Sequence, residues 1–276
     1  MPWHARLSLD YRLQPPRTVL QHSHDGPLRI LKSLYPEGDA VCHNVIVHPP
    51  GGLVGGDRLA LQVHLAEGAH ALVSTPGATR FYASDALPAE QTVDIRLDAG
   101  ARLEWLPLET IAYPGCDALN RWSARLAPGA ELMAWDVTAL GLPAAGQPFD
   151  SGRLHQRMEI PGVWREEARI AATDTRLLDA PLGLAGQRCL GTLVFASGSA
   201  LERGRREALL EAARNALSDL PAGVQAGATC PHPQVLVVRA LAPLVEPLMA
   251  RLQRAWAALR PVAWGLPAQG PRIWRV

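Results

Sequence analysis

The most distinctive residues for chemistry lie in a glycine-rich stretch, 51–57, that follows His48 and two prolines. Its glycines, which allow left-handed backbone or close approach to another surface, are Gly51, Gly52, Gly55 and Gly56. A phosphate-binding loop requires a Gly-Lys-Ser/Thr sequence or a helix N-terminus, whereas Asp57 places a negative charge where a phosphate would lie. The stretch is either a tight structural turn or a functional loop centred on Asp57.

The remaining polar residues carry no catalytic signature. A glycosidase needs two carboxylates roughly 5–10 Å apart, and nothing in the sequence fixes such a pair. There is no Gly-x-Ser-x-Gly elbow and no His-Glu-x-x-His motif. His22 and His24 would share one face of a strand, but no third ligand is near them in sequence. We therefore predict no catalytic residues, no stable metal site and no enzymatic activity.

The elements that must position these residues are predominantly β-strands. Apolar residues alternate from about residue 28 to residue 195, as in Leu59, Leu61, Val63 and Leu65. The segments 65–69, 97–101 and 126–130 share the pattern Leu-x-x-Gly-Ala, with glycines 32 and then 29 positions apart, and a weaker copy follows at 160–162. Such a period predicts a mainly β, solenoid-like body of stacked short strands. A β-sandwich with hairpins of similar length is the alternative.

The last third of the chain has helical periodicity. Ser199 and Glu202 form a capping-box pattern ahead of a helix that ends before Pro221. A short strand, 234–240, is followed by a second helix from Pro243 or Pro247 to Arg260. No linker is visible, so we predict a single domain over 1–276, with a β body at about 1–198 and helices and tail at about 199–276.

Composition excludes several classes of function. The 24 glycines and 24 prolines indicate frequent turns, and the hydrophobic fraction of 48% indicates a globular chain. The net charge of +1 provides no field that would favour nucleic acid or anionic membranes. No apolar run could span a membrane and no signal peptide is visible, so we expect a cytoplasmic protein.

Three ordered motifs together resemble a known family. They are 48–57 (His-Pro-Pro-Gly-Gly-Leu-Val-Gly-Gly-Asp), 75–82 (Thr-Pro-Gly-Ala-Thr-Arg-Phe-Tyr) and 103–107 (Leu-Glu-Trp-Leu-Pro) with Thr110 and Ile111. They resemble the urease accessory protein UreD family, called UreH in some organisms, and the likeness continues to residues 271–274. The chain departs from the family pattern at Leu142 and Gln147, where charged residues are common.

The resemblance implies a β-helical body with C-terminal helices and a role in urease maturation. It implies a non-enzymatic scaffold that, with UreF and the GTPase UreG, binds apo-urease while nickel is inserted. No cofactor is expected to be bound permanently, and Ni²⁺ is expected only in transit. A carbohydrate-active hydrolase on a β-solenoid or β-sandwich is the alternative function.

A route for Ni²⁺ requires weak ligands along a path, because a tight cage would not release its ion. The candidates on that path are Asp57, Glu104 and Asp136, and Asp57→Ala is expected to leave folding intact while lowering urease activation. The candidate contacts with UreF are Leu248, Leu252, Trp256 and Trp274. A helix that instead covers the solenoid's own core is the alternative for this region.

Overall fold

The computed structural model describes residues 2–84 and 86–275 and consists of a β-solenoid of about four coils with three helices. The mainly β, solenoid-like fold predicted from the turn period is confirmed. Each coil contributes one strand to each of two facing sheets, because a turn carries the chain from one sheet to the other. No helix in the described part of the chain is long and apolar enough to cross a bilayer.

The seven-stranded sheet has parallel strands at its centre and an antiparallel hairpin at each edge. Its strands, in chain order, are β1 His4–Gln14, β2 Arg17–Asp25, β5 Arg58–Leu65, β8 Ala89–Leu97, β11 Asp117–Leu126, β13 Arg153–Ile160 and β14 Trp164–Ala171. Their spatial order is β14-β13-β11-β8-β5-β1-β2.

The ten-stranded sheet contains the remaining strands. They are β3 Arg29–Ile30, β4 Val41–Val47, β6 His70–Ser74, β7 Thr79–Phe81, β9 Arg102–Trp105, β10 Thr110–Ala112, β12 Glu131–Leu140, β15 Cys189–Ser197, β16 Gln225–His232 and β17 Val235–Ala242. The main path runs β16-β17-β15-β12-β9-β6-β4-β3, and β10 joins β12 to β7. The strand predicted at 234–240 is β17, so the region after residue 199 contributes strands to this sheet as well as helices.

The repeated glycines hold the turns between the sheets in a stack. Gly68, Gly100 and Gly129 all have positive φ, at 69°, 66° and 77°. The Gly68 amide donates to the Ala99 carbonyl of the next turn at 3.1 Å. Gly162 also has positive φ, but it closes the β13–β14 hairpin within one sheet, which explains why its sequence copy is weaker.

Both faces of the ten-stranded sheet are buried at its central strands, whereas the edge strand β16 alternates between exposed and partly buried residues. The inner face of the sheet packs on the seven-stranded sheet, and its outer face is covered by α2 Arg203–Ala216 and α3 Val245–Trp264, whereas α1 Thr175–Asp179 is a single turn. All ten residues of β12 are therefore buried. This burial accounts for the nearly continuous apolar sequence of that strand.

The helix ends differ from those expected. α2 starts at Arg203 with no side-chain cap, so the Ser199–Glu202 capping box is wrong: the Leu201 amide donates to the Pro233 carbonyl and the preceding segment stays outside the helix. α3 starts at Val245, with Pro247 in the first turn where no amide donor is needed. It continues through Pro261 to Trp264, whose indole donates to Glu131 at 2.6 Å, and Gly265 ends it with φ 66°.

A buried ion cluster fastens α3 to the solenoid. Arg260 is fully buried and donates to both oxygens of Glu37, at 2.5 and 2.8 Å, and to Glu104 at 3.2 Å. His43 and His70 each approach one of these carboxylates. Burial alone would raise the pKa of Glu37, but the contacts with His43 and Arg260 hold it below the ordinary value.

Removal of the guanidinium should therefore destabilise the fold. Arg260→Met leaves two buried carboxylates without their cation, and we expect it to lower the free energy of unfolding by about 3–5 kcal/mol. Arg254→Met, an exposed position on the same helix, should change it by less than about 0.5 kcal/mol. Urea unfolding measures both, and equal losses for the two variants would contradict the structural role of the cluster.

Candidate functional site

The interior cavity lies between the two sheets and has a volume of about 250 Å³. Its apolar wall includes Leu59, Leu61, Val93, Trp105 and Trp122, and its polar lining includes His48, Thr75, Thr79, Gln91, Thr110, Asn120 and Asp136. Pro76 and Gly77, also in the lining, are exposed, so the cavity borders the surface at the loop before β7. At roughly 30 Å³ per liquid water, this volume accommodates several water molecules.

Asp136 is a buried carboxylate without a cationic hydrogen-bond partner among the described residues. It accepts hydrogen bonds from Asn120 at 3.1 Å, Gln156 at 2.5 Å and Thr138 at 3.4 Å. Burial raises the pKa of Asp136 to about 6, although these donors lower it and the charge of Glu166 raises it further. A carboxylate so placed is mostly ionised at pH 7 and has negative charge available for a cation.

Two further polar groups belong to residues of the cavity lining, His48 and Trp122. Burial lowers the pKa of His48, and the nearby charge of Asp57 offsets that effect only in part, so the imidazole is neutral at pH 7. A neutral imidazole is a ligand for Ni²⁺ and other divalent metals. The indole N–H of Trp122 is buried with no protein acceptor within the described ranges, which provides a donor for cavity water.

Polar residues continue from Asp136 towards the surface. Asp136, Thr192 and Arg239 are cross-strand neighbours on β12, β15 and β17, and Glu166 on β14 faces them from the other sheet. Asp136 is part of the cavity lining, whereas Thr192, Glu166 and Arg239 are not. We call Thr192, Glu166 and Arg239 the polar plug, because they occupy the interval between Asp136 and the surface.

Comparison with known proteins identifies the family to which these features belong. The family model described as "UreD urease accessory protein" matches residues 4–275. The chain is 61% identical to the urease accessory protein UreD of Albidiferax ferrireducens and 60% identical to that of Paracidovorax citrulli, each over 99% of both chains. The chain belongs to the UreD family of urease accessory proteins. This membership confirms the resemblance drawn from the motifs and gives the chain an accessory role in urease maturation.

The glycine-rich loop of this UreD family member packs flat against its neighbours. A Cβ at Gly52 would lie 2.3 Å from the ring of Tyr82, and a Cβ at Gly55 would lie 2.3 Å from the hydroxyl of Ser84. Gly51 and Gly56 have φ of 78° and 88°. Asp57 accepts a hydrogen bond from the Trp3 amide at 2.7 Å and another from the Val54 amide at 3.0 Å, so each carboxylate oxygen binds a backbone amide. These contacts favour the structural turn over the functional loop.

The three acids proposed for the nickel path do not lie together. Asp136 borders the interior cavity, whereas Asp57 fastens the glycine-rich loop and is absent from the cavity lining. Glu104 is on the outer face of the ten-stranded sheet, where it also accepts the indole N–H of Trp256 at 2.6 Å. Leu103 and Trp105, on either side of it in β9, point into the core between the sheets, so Glu104 faces away from the interior cavity.

The residues proposed as UreF contacts are mostly internal. Leu248, Leu252 and Trp256 are buried between α3 and the sheet, so they are not surface residues of this UreD chain. This burial favours the alternative in which the helix covers the solenoid's own core. Trp274 is partly exposed and packs on Trp135 and Trp256, with ring centroids 5.0 and 5.2 Å away.

The positions that depart from the UreD pattern lie at the end of β12. Leu142 and Gln147 pair across a tight turn, 143–145. Gln147 is exposed and Leu142 is partly exposed. The charges common in the family would therefore be on the surface of this turn, outside the interior cavity.

Sequence reasoning missed the amides that surround Asp136. Gln91, Asn120 and Gln156 occupy inward positions of β8, β11 and β13. Each interrupts an alternation that is otherwise apolar, as Asn120 does between Ala118 and Trp122. A polar residue at a position whose neighbours two residues away are apolar was the signal that could have found them.

Asp57→Ala tests the structural role of that residue. The backbone amides of Trp3 and Val54 lose their acceptor, so we expect the free energy of unfolding to fall by about 1–3 kcal/mol. This replaces the expectation from the sequence that folding is unaffected. Asp94→Ala, at an exposed position of β8, is the matched control. Urea unfolding compares them, and unchanged stability for Asp57→Ala would show that the loop does not depend on the carboxylate.

Asp136→Asn should alter stability in a pH-dependent manner. The folded-state pKa of about 6 exceeds the ordinary value of 3.8, so the wild-type protein loses stability as pH rises through this window. The variant cannot ionise, and its stability relative to wild type should increase by up to about 3 kcal/mol between pH 4 and pH 7.5. Urea unfolding at both pH values measures this increase, with Asp94→Asn as control. A pH-independent difference would refute the shifted pKa.

Proposed function

We propose that this chain is a non-enzymatic scaffold of urease maturation that passes Ni²⁺ through its interior. In this proposal it acts in the cytoplasm with UreF and UreG, binds apo-urease, and holds nickel only in transit. Family membership supports the role in urease maturation. The observation that supports the interior route is Asp136, a buried carboxylate in the cavity lining that has neutral donors and no cationic hydrogen-bond partner among the residues that the structure describes.

Asp136 is difficult to explain as a stabilising residue. A buried ionised group costs free energy unless it is paired, and the raised pKa of Asp136 indicates that cost. A neutral Asn there would keep one acceptor oxygen for these donors and would carry no charge to desolvate. A residue that lowers stability while bordering a cavity is typical of a functional site.

The ligand chemistry along the cavity suits a transferred cation. His48 provides a neutral imidazole and Asp136 provides a carboxylate in the lining of the same cavity. Within residues 2–84 and 86–275, no three His, Cys, Asp or Glu side chains are close enough to hold a metal ion together. An ion would meet few protein ligands at a time and keep much of its hydration, which permits both entry and release.

The hydrolase alternative has no suitable pair in the acids considered. Glu104 and Asp136 are on opposite faces of the ten-stranded sheet, so they cannot flank one glycosidic bond. For the UreF contact, we retain only Trp274 of the four candidates, because Leu248, Leu252 and Trp256 are internal. The three internal side chains would act indirectly, by keeping α3 in place.

Urease activation by Asp136→Asn tests the nickel route. In a reconstituted mixture of apo-urease, UreF, UreG, GTP and limiting Ni²⁺, we expect activation to fall about tenfold. Co-purification with UreF, UreG and apo-urease should remain at the wild-type level, because the substituted side chain is internal. Asp94→Asn should activate urease as the wild type does. Wild-type activation by Asp136→Asn would exclude Asp136 from the route.

A further inference from the structure

The polar plug contains an ion pair between Arg239 and Glu166, the next carboxylate beyond Asp136. Arg239 donates from Nε to Glu166 Oε2 at 2.6 Å, and its Nη2 contacts the same oxygen. Thr192 donates to Glu166 Oε1 at 2.8 Å. Both oxygens of Glu166 are therefore engaged by side chains of the ten-stranded sheet.

This pair lies at the surface end of a row of residues that runs from Asp136 across neighbouring strands, which we call the polar file. Asp136, Thr192, Arg239 and Gly227 are successive cross-strand neighbours on β12, β15, β17 and β16. Gly227 has no side chain, and a Cβ there would meet no atom within 4 Å. The side chain of Arg239 is 50% exposed, whereas Thr192 is 6% exposed. Arg239 is therefore the residue of the polar plug with the greatest exposure to solvent.

The charges of the pair oppose a cation that would move along this file. Glu166 is the next carboxylate for an ion leaving Asp136, but Arg239 already neutralises it. A divalent cation can bind Glu166 only after the guanidinium withdraws, because like charges at contact distance repel strongly in a partly buried site. The guanidinium has room to withdraw, since half of its side chain is in solvent.

We propose that Arg239 is a gate that excludes cations from Glu166 and closes the surface end of the interior route. This inference rests on the proposed nickel route and adds its regulation. In the closed state Glu166 binds Arg239. In the open state Arg239 turns into solvent, and Glu166 and Asp136, on either side of Thr192, together bind the ion.

Nickel binding to the isolated full-length chain tests the gate. Equilibrium dialysis with Ni²⁺ should show that Arg239→Gln binds about tenfold more tightly than wild type, the factor that corresponds to one charge-assisted hydrogen bond. Arg239→Met should show the same gain, which guards against a folding defect of one variant. Arg239→Lys, which retains the positive charge, should bind as weakly as wild type.

Two controls test whether the gain in nickel affinity arises at Glu166. Adding Glu166→Gln to Arg239→Gln should abolish that gain. Arg157→Gln removes a comparable arginine, 2.5 Å from Glu159 on the outer face of the seven-stranded sheet, and should produce no gain. Unchanged binding in both Arg239→Gln and Arg239→Met, or a gain that persists without Glu166, would overturn the gate.

The outcome separates the gate from the route. If Asp136→Asn lowers urease activation and the Arg239 variants bind nickel as wild type does, the route stands and the gate is refuted. If Asp136→Asn activates urease normally while the Arg239 variants gain affinity through Glu166, that site binds nickel without lying on the route, which refutes both the route and its gating.

Discussion

The structure depends on one constraint: the central strands of the ten-stranded sheet are buried on both faces, so a polar group on these strands needs a partner from within the chain. The outer face satisfies Glu104 with Arg260, which comes from a helix 156 residues further along. On the inner face, the side chains of the described residues that donate to Asp136 are two amides and a hydroxyl. Two buried carboxylates of one sheet are thus treated differently, and the difference separates a structural acid from one suited to a mobile cation.

The stacked coils explain why the inner face contains a cavity at all. Parallel pairing of β5, β8, β11 and β13 brings equivalent inward positions into rows, such as Leu61, Val93, Trp122 and Met158. An adjacent row contains Gln91, Asn120 and Gln156, with Asp136 opposite. Because amides in a row can bond to one another and to a carboxylate, the polar lining is built without interrupting the coil.

Features that depend on local sequence were predictable. The Leu-x-x-Gly-Ala period predicted the stacked turns because each turn needs a left-handed glycine. The alternation of apolar residues predicted which side chains share one face of a strand. The nature of the partners was not predictable, since Asp57 binds the amide of Trp3 54 residues away and Glu104 binds Arg260. The predicted helix ends were wrong for the same reason. α3 continues past Pro261 to Trp264, whose indole contacts Glu131 on a distant strand.

Burial distinguishes the ion pairs of Arg260 from the ion pair of Arg239 and determines which of them can act as a switch. Arg260 is fully buried and is held by Glu37, Glu104 and the Pro267 carbonyl, so its departure would leave several buried groups without partners. Arg239 is half in solvent and has Glu166 as its carboxylate partner, and water can replace that partner when the guanidinium turns outward. The same residue type therefore fixes a helix in one place and can release a carboxylate in the other. The proposed nickel route would require both, because it must hold its shape while it admits an ion.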